Sequence, residues 1–368
     1  MKKTIIFMAA VLAMAAGCTK YELNTDFNVP DELVSPDPVE LDVTSSKTVV
    51  LKWEGGAAAD GGIVLYDVLF DRKGGDFSSP IAKMPSDQGA LNTLTLTHSA
   101  LNTIARNAGI KPKESGSIIW TVSASKGGET KLSGLSSEIK LTRGEGIDNI
   151  PDHLFVSGSA ALEAGQEFRL VEEGVFVIYT EFGNGSLKFT SEKDGGINFY
   201  ASASGKLNEG EGEYEVTDAP ASGLVRITVD FNALKFSVEQ IDKKVRCVWS
   251  ATYADVAVLD YAGNGNFTGE GDVVFLGPGR EGTPDWCTWV EERYYFIAKV
   301  DGVEKCWGST FGGGAPLPDG TKEFYIVKEN AWEQWNNCWK MDHAYDLTHV
   351  KFAIHTNQDN LMVHSYSN

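Results

Sequence analysis

Val39-Glu-Leu-Asp-Val43 and, one loop later, Val49-Val-Leu-Lys-Trp53 carry the pattern on which the fold turns. Apolar and polar residues alternate, so each stretch turns one face to a core and the other to water. Related apolar, β-branched runs return as Ile118-Ile-Trp120-Thr-Val-Ser-Ala124, Gly174-Val-Phe-Val-Ile-Tyr179, Gly223-Leu-Val-Arg-Ile-Thr-Val229 and Val350-Lys-Phe-Ala-Ile-His355. Asn184-Gly185 and Asp194-Gly195-Gly196 supply hairpin turns. One helix interrupts the strands. Thr97 caps it, Ala100, Leu101, Ile104 and Ala105 form its apolar face, and Gly109 ends it. The expectation is an all-β chain of tandem β-sandwich domains, and 368 residues leave room for two or three of them.

Residues 39–143 read as an immunoglobulin/fibronectin III-like sandwich with Trp53 and Trp120 in its core. Gly144 to Pro151 is a linker of glycine, proline and acids. Residues 152–242 form a second sandwich without a tryptophan, and residues 243–368 form a third that loosely repeats it. Ahead of them, Met1-Lys2-Lys3 and the apolar run Thr4–Ala16 read as a secretory signal, residues 1–17, too short to span a bilayer. Its end, Ala15-Ala16-Gly17-Cys18, resembles a bacterial lipobox, which makes Cys18 the lipidated residue and a lipid the only membrane attachment. Residues 18–38, with three prolines, read as a flexible spacer.

The formal charge is −19, and losing Lys2 and Lys3 with the signal makes it −19 − 2 = −21. Such a chain repels nucleic acid and anionic headgroups. Cys247, Cys287, Cys306 and Cys338 either form two disulfides, in one of three connectivities, or stay as buried thiols. Their spacing does not suggest zinc, and no metal or cofactor is expected. The scattered histidines show no ligand pattern, and Asp260-Tyr-Ala-Gly-Asn264 departs from a calcium loop at its third position. There is no G-x-S-x-G elbow, and chance carboxylate pairs in so acidic a chain carry no signal for a glycosidase. The reading is a protein without catalysis.

The chemistry gathers in the third sandwich. Six of the nine tryptophans fall in Trp286-Cys-Thr-Trp289, Lys305-Cys-Trp307-Gly308 and Trp332-Glu-Gln-Trp335-Asn-Asn-Cys-Trp339, more than packing needs. Flat aromatic faces beside amides and acids suit a sugar, with its C–H face and hydroxyl rim. Strand alternation expects Trp307 exposed if Cys306 is buried, and Trp339 exposed if Cys338 is buried. Trp286 and Trp289 would lie on opposite faces, one of them core, whereas Trp332, Trp335 and Trp339 would line one side of a short helix. Candidate carbohydrate-binding residues are therefore Trp286, Trp307, Trp332, Trp335, Trp339 and Asn336, with Glu333, Gln334, Asn337 and Asp319 as further hydroxyl partners.

The lipobox, the first domain ending in Ile-Lys-Leu-Thr-Arg143 and the paired sandwiches together resemble the SusE/SusF group. The Phe-Val-Ile-Tyr and Leu-Lys-Phe-Thr elements of domain two and the Tyr-Tyr-Phe-Ile and Trp339-Lys340 elements of domain three add to it. These are outer-membrane glycan-binding lipoproteins of polysaccharide-utilisation systems. The resemblance implies two SusE/SusF-type carbohydrate-binding sandwiches that face outward and capture a starch-like or other neutral poly- or oligosaccharide. It also implies a SusC/SusD-type transporter complex as partner. The alternative is a protein-binding adhesin or structural surface lipoprotein, whose tryptophans meet a polypeptide.

Overall fold

Trp53 and Trp120 stand on strands of different sheets, and their rings meet at 6.5 Å, with Tyr66 edge-on to Trp53 at 5.6 Å. This cluster centres the first of two compact units, Met1–Glu145 and Gly146–Asn368, in a computed structural model that describes residues 24–148, 150–312, 317–331, 333 and 335–368. The signal, Cys18, Trp332 and Gln334 lie outside the described residues.

In the first unit, Pro30–Val34, Thr48–Gly55 and Thr93–Thr97 make a three-stranded antiparallel sheet. It belongs to a sandwich with a six-stranded sheet built around Ser115–Lys126, Leu65–Arg72 and Ser137–Thr142. The helix His98–Asn107 forms as expected: Thr97 Oγ1 accepts from Ala100 N at 3.1 Å, and Leu101, Ile104 and Ala105 are buried. The spacer reading fails over its second half. Phe27 is buried under the ammonium of Lys131, 4.3 Å away, and Pro30–Val34 pairs with Thr48–Gly55. Burying an aromatic ring and pairing an edge outweigh the turn propensity of the prolines.

The second unit holds a five-stranded sheet including Gly185–Glu192 and Gly195–Ala201, and a four-stranded one, Arg169–Glu172, Val175–Glu181, Leu224–Asp230 and Lys235–Gln240. Phe168, Phe176, Phe189, Phe199 and Phe231 pack edge to face in this region. A nine-stranded antiparallel sheet follows, running from Lys328–Asn330 through Val303–Gly308, Arg293–Val300 and Lys244–Trp249 to Thr348–Gln358 and Leu361–Ser367. It folds over on itself. Phe267 meets Trp307 at 6.0 Å and Tyr294 Oη meets His364 Nε2 at 2.8 Å, although neither pair lies on neighbouring strands. A bridge between Ile326 and Val363 ties the two ends together.

The four-stranded sheet shares this packing, since its Tyr179 and Leu224 belong to the core of the large sheet. Glu163 adds a polar clamp, accepting from Glu181 N at 3.0 Å and from Tyr261 Oη and Asn264 N at 2.6 Å. Among the described residues, Cys247, Cys287, Cys306 and Cys338 are all buried and unbridged. Burial pushes the Cys306 thiol up to about 12 and that of Cys338 to about 11.

Candidate functional site

Trp286 and Trp289 lie on an excursion whose ends are closed by two backbone bonds, Leu276 N to Glu291 O at 3.2 Å and Glu291 N to Leu276 O at 2.8 Å. Between those bonds the backbone turns repeatedly: Arg280 N donates to Gly277 O and Cys287 N to Pro284 O. Arg280 Nη1 fastens the loop by donating to Phe275 O at 3.0 Å and Asp346 Oδ1 at 2.7 Å. Gly279 and Gly282 take positive φ at its bends, a conformation that side chains resist. Because the segment is looped, the strand rule that sent one tryptophan to the core does not operate. Cys287 is buried instead, and Trp286 and Trp289 are 49% and 44% exposed.

Trp335 completes the group from the opposite segment. Its ring stands perpendicular to Trp286 at 5.9 Å, and Trp286 is tilted 49° to Trp289 at the same separation. A partly buried ion pair holds two of the three, Trp289 and Trp335. Glu291, whose side chain is 1% exposed, is bonded by Arg293 through both oxygens and accepts from Trp289 Nε1 at 2.7 Å. The Arg293 guanidinium covers the Trp335 ring, 4.6 Å from its centroid, as a cation–π contact. Burial pushes the Glu291 carboxyl up, but the bonds from Arg293 and Trp289 outweigh it and leave it below the usual range. The same pairing holds Arg293 above its ordinary value. Beside Trp286 the loop encloses an open cleft of about 650 Å³ with Arg280, Glu281, Asp285 and Thr288 on its walls. Two half-exposed indoles with a third set at right angles, on a rigid ionic base, form a corner for a flat apolar face with a polar edge.

Two candidate residues are elsewhere. Trp307 and Trp339 are 1% and 0% exposed, so alternation with Cys306 and Cys338 did not bring them out. Their strands lie in a sheet folded over on itself, and the sheet leaves no solvent side at these positions. Trp307 packs edge-on against Tyr179 at 5.6 Å, and Trp339 stacks near Tyr294 and His364 while its Nε1 donates to Phe324 O at 2.7 Å.

The short helix expected through Trp335 and Trp339 does not form over residues 335–339 either. Asn337 takes φ 59°, and Trp339–Lys340 is a strand paired with Arg293 and Tyr294. Asn336 stands near the corner and donates to Glu333. Asn337 holds the loop by donating to Phe311 O at 3.2 Å, and Asp319 closes a turn on Thr321. Trp289, in contrast, belongs to the corner. Pro284 and the glycines before it were the signal that this segment is a loop.

The fold and the corner define a class: a chain of tandem β-sandwich architecture with a solvent-facing aromatic cluster shared by two loops of its last sheet. Residues 24–123 match the family model described as SusE outer membrane protein. A solved structure, SusF from Bacteroides thetaiotaomicron, matches over 94% of this chain and 77% of that one at 12% identity, with a TM-score of 0.27. An overlay of that quality carries no part of the site's reading. No curated protein matches the chain.

Proposed function

We propose that this is a lipid-anchored protein of the outer membrane, facing outward, that captures a poly- or oligosaccharide without catalysis. The observation that carries the reading is the corner of Trp286, Trp289 and Trp335, half-open to solvent, with Trp289 and Trp335 fixed by Glu291 and Arg293. Asn336 and Glu333 supply hydroxyl partners at its rim, and the adjacent cleft accommodates the continuing chain. The match of residues 24–123 to a family described as an outer-membrane protein supports the location. The lipobox at Cys18 supports the anchor. The ligand is a starch-like or other neutral glycan, handed to a SusC/SusD-type transporter.

Each indole stack contributes roughly 0.5–1.5 kcal/mol beyond area burial. Replacing two of them therefore weakens binding by about 1–3 kcal/mol, roughly 5- to 150-fold. Affinity electrophoresis through gels cast with neutral polysaccharides tests this, with wild type run beside Trp286→Ala/Trp289→Ala. Retardation by one glycan, lost in the double variant, is expected. Retardation that survives moves the site away from the corner, with Trp332 as the next residue to replace. No retardation by any glycan turns the reading to a polypeptide partner.

A further inference from the structure

The four-stranded sheet gathers charge on one face. Tyr179 pairs with Arg226 and Arg226 with Glu239, while Arg169 and Thr228 both stand opposite Val177. These side chains line a cavity of about 240 Å³, closed by Trp307, Met362 and Glu329 from the large sheet. Arg226 is fully committed. It chelates Glu239 at 2.7 and 2.9 Å and reaches Glu329 at 2.7 Å.

Arg169 is different. Its Nε is buried without a hydrogen-bond partner among the described residues, and burial and a second cation, Arg226, both work against its charge. A buried donor with no acceptor is costly unless something supplies one. Arg169, Arg226 and Lys328 set against Glu239 and Glu329 leave 3 − 2 = 1 positive charge around the cavity. That balance fits a monoanion and disfavours a dianion. Planar, fork-like guanidinium donors match a carboxylate. Val177, Met362 and the edge of Trp307 give an apolar wall, whereas Glu239, Glu329 and Thr228 offer acceptors for hydroxyls. The volume lies below the roughly 300–1,000 Å³ of sites for drug-sized ligands, so one ring-sized group fits.

We infer that this cavity binds one uronic acid residue, its carboxylate on Arg169 and its ring against Trp307. The inference rests on the glycan-capture reading and extends it: the captured chain carries, or ends in, an acidic sugar. The pocket is built on other strands than the tryptophan corner, so each can fail alone.

The test titrates the full chain with D-glucuronate, D-galacturonate, D-glucose and acetate by calorimetry, beside Arg169→Gln. One of the uronates is expected to bind, glucose and acetate are not, and the variant should bind at least about tenfold more weakly. Acetate binding as tightly as the uronates would overturn the sugar assignment. Absence of uronate binding, or binding untouched by Arg169→Gln, would overturn the site. Melting without ligand guards against a structural role. The variant's Tm should equal or exceed wild type, because an unpartnered buried donor has been removed, and a large fall would overturn the proposal. Retardation of Arg169→Gln in neutral-polysaccharide gels should be unchanged. If wild type itself is not retarded while uronate binds, the tryptophan corner has failed and this pocket has not.

Discussion

His364 sits in the core of the large sheet at 1% exposure, and its two nitrogens have different tasks. Nδ1 faces Tyr325 O at 3.0 Å, which can only accept, so Nδ1 carries the proton and Nε2 accepts from Tyr294 Oη. Burial pulls its pKa down from 6.5 to about 3. For a depressed histidine the unfolded chain takes the proton first. Its stabilising effect is complete above pH 6.5 and is lost as the pH falls toward about 3. Each pH unit in that window costs up to about 1.4 kcal/mol. Urea midpoints followed from neutral pH down to about 5 should fall, and a flat profile would contradict the buried neutral ring. That range lies above the ordinary values of Glu291 and Asp346, 4.5 and 3.8, both held lower still, so these carboxylates do not mask the effect. His349 is raised by its bond to Asp272 and acts with the opposite sign, its contribution fading as the pH rises.

Among the elements, the strand Val303–Gly308 shows what alternation conveys and what it omits. Its β character was legible, but Cys306, Trp307 and Gly308 are all buried. A period of two assigns faces only where one face meets water, and the folding-over of the sheet is set by pairings that local pattern does not encode. The helix His98–Asn107 was legible to its cap because every signal for it is local. Trp286 and Trp335 were legible as candidates from density alone. Their meeting at the same corner was not, because the chain between them includes the whole hairpin Arg293–Gly308. Gly308 is where that hairpin admits its neighbour: a Cβ there would stand 2.3 Å from Asn337 O. Gly308→Ala should therefore push away the segment that carries Trp335, costing about 1–3 kcal/mol. A urea midpoint equal to wild type would show that the contact yields without cost.

At the scale of the whole molecule, the division falls between Glu145 and Gly146, inside the linker that glycine and proline marked. The second and third sandwiches share Tyr179 and Leu224 in one core and are joined through Glu163 and Arg226. A chain of residues 146–368 should melt in one cooperative transition, whereas residues 243–368 alone should not, having lost part of the wall of their core. Scanning calorimetry decides, and a sharp transition from the shorter piece would make the smaller sheets an accessory. That shared core was hidden because turn signals mark where strands end, not which surfaces later meet. The four enclosed thiols carry a different consequence. Among the described residues the native state asks for no cystine, so folding at either redox poise waits on no bridge, and any cystine among these four would be a mispairing that burial in the folded chain withholds from oxidants.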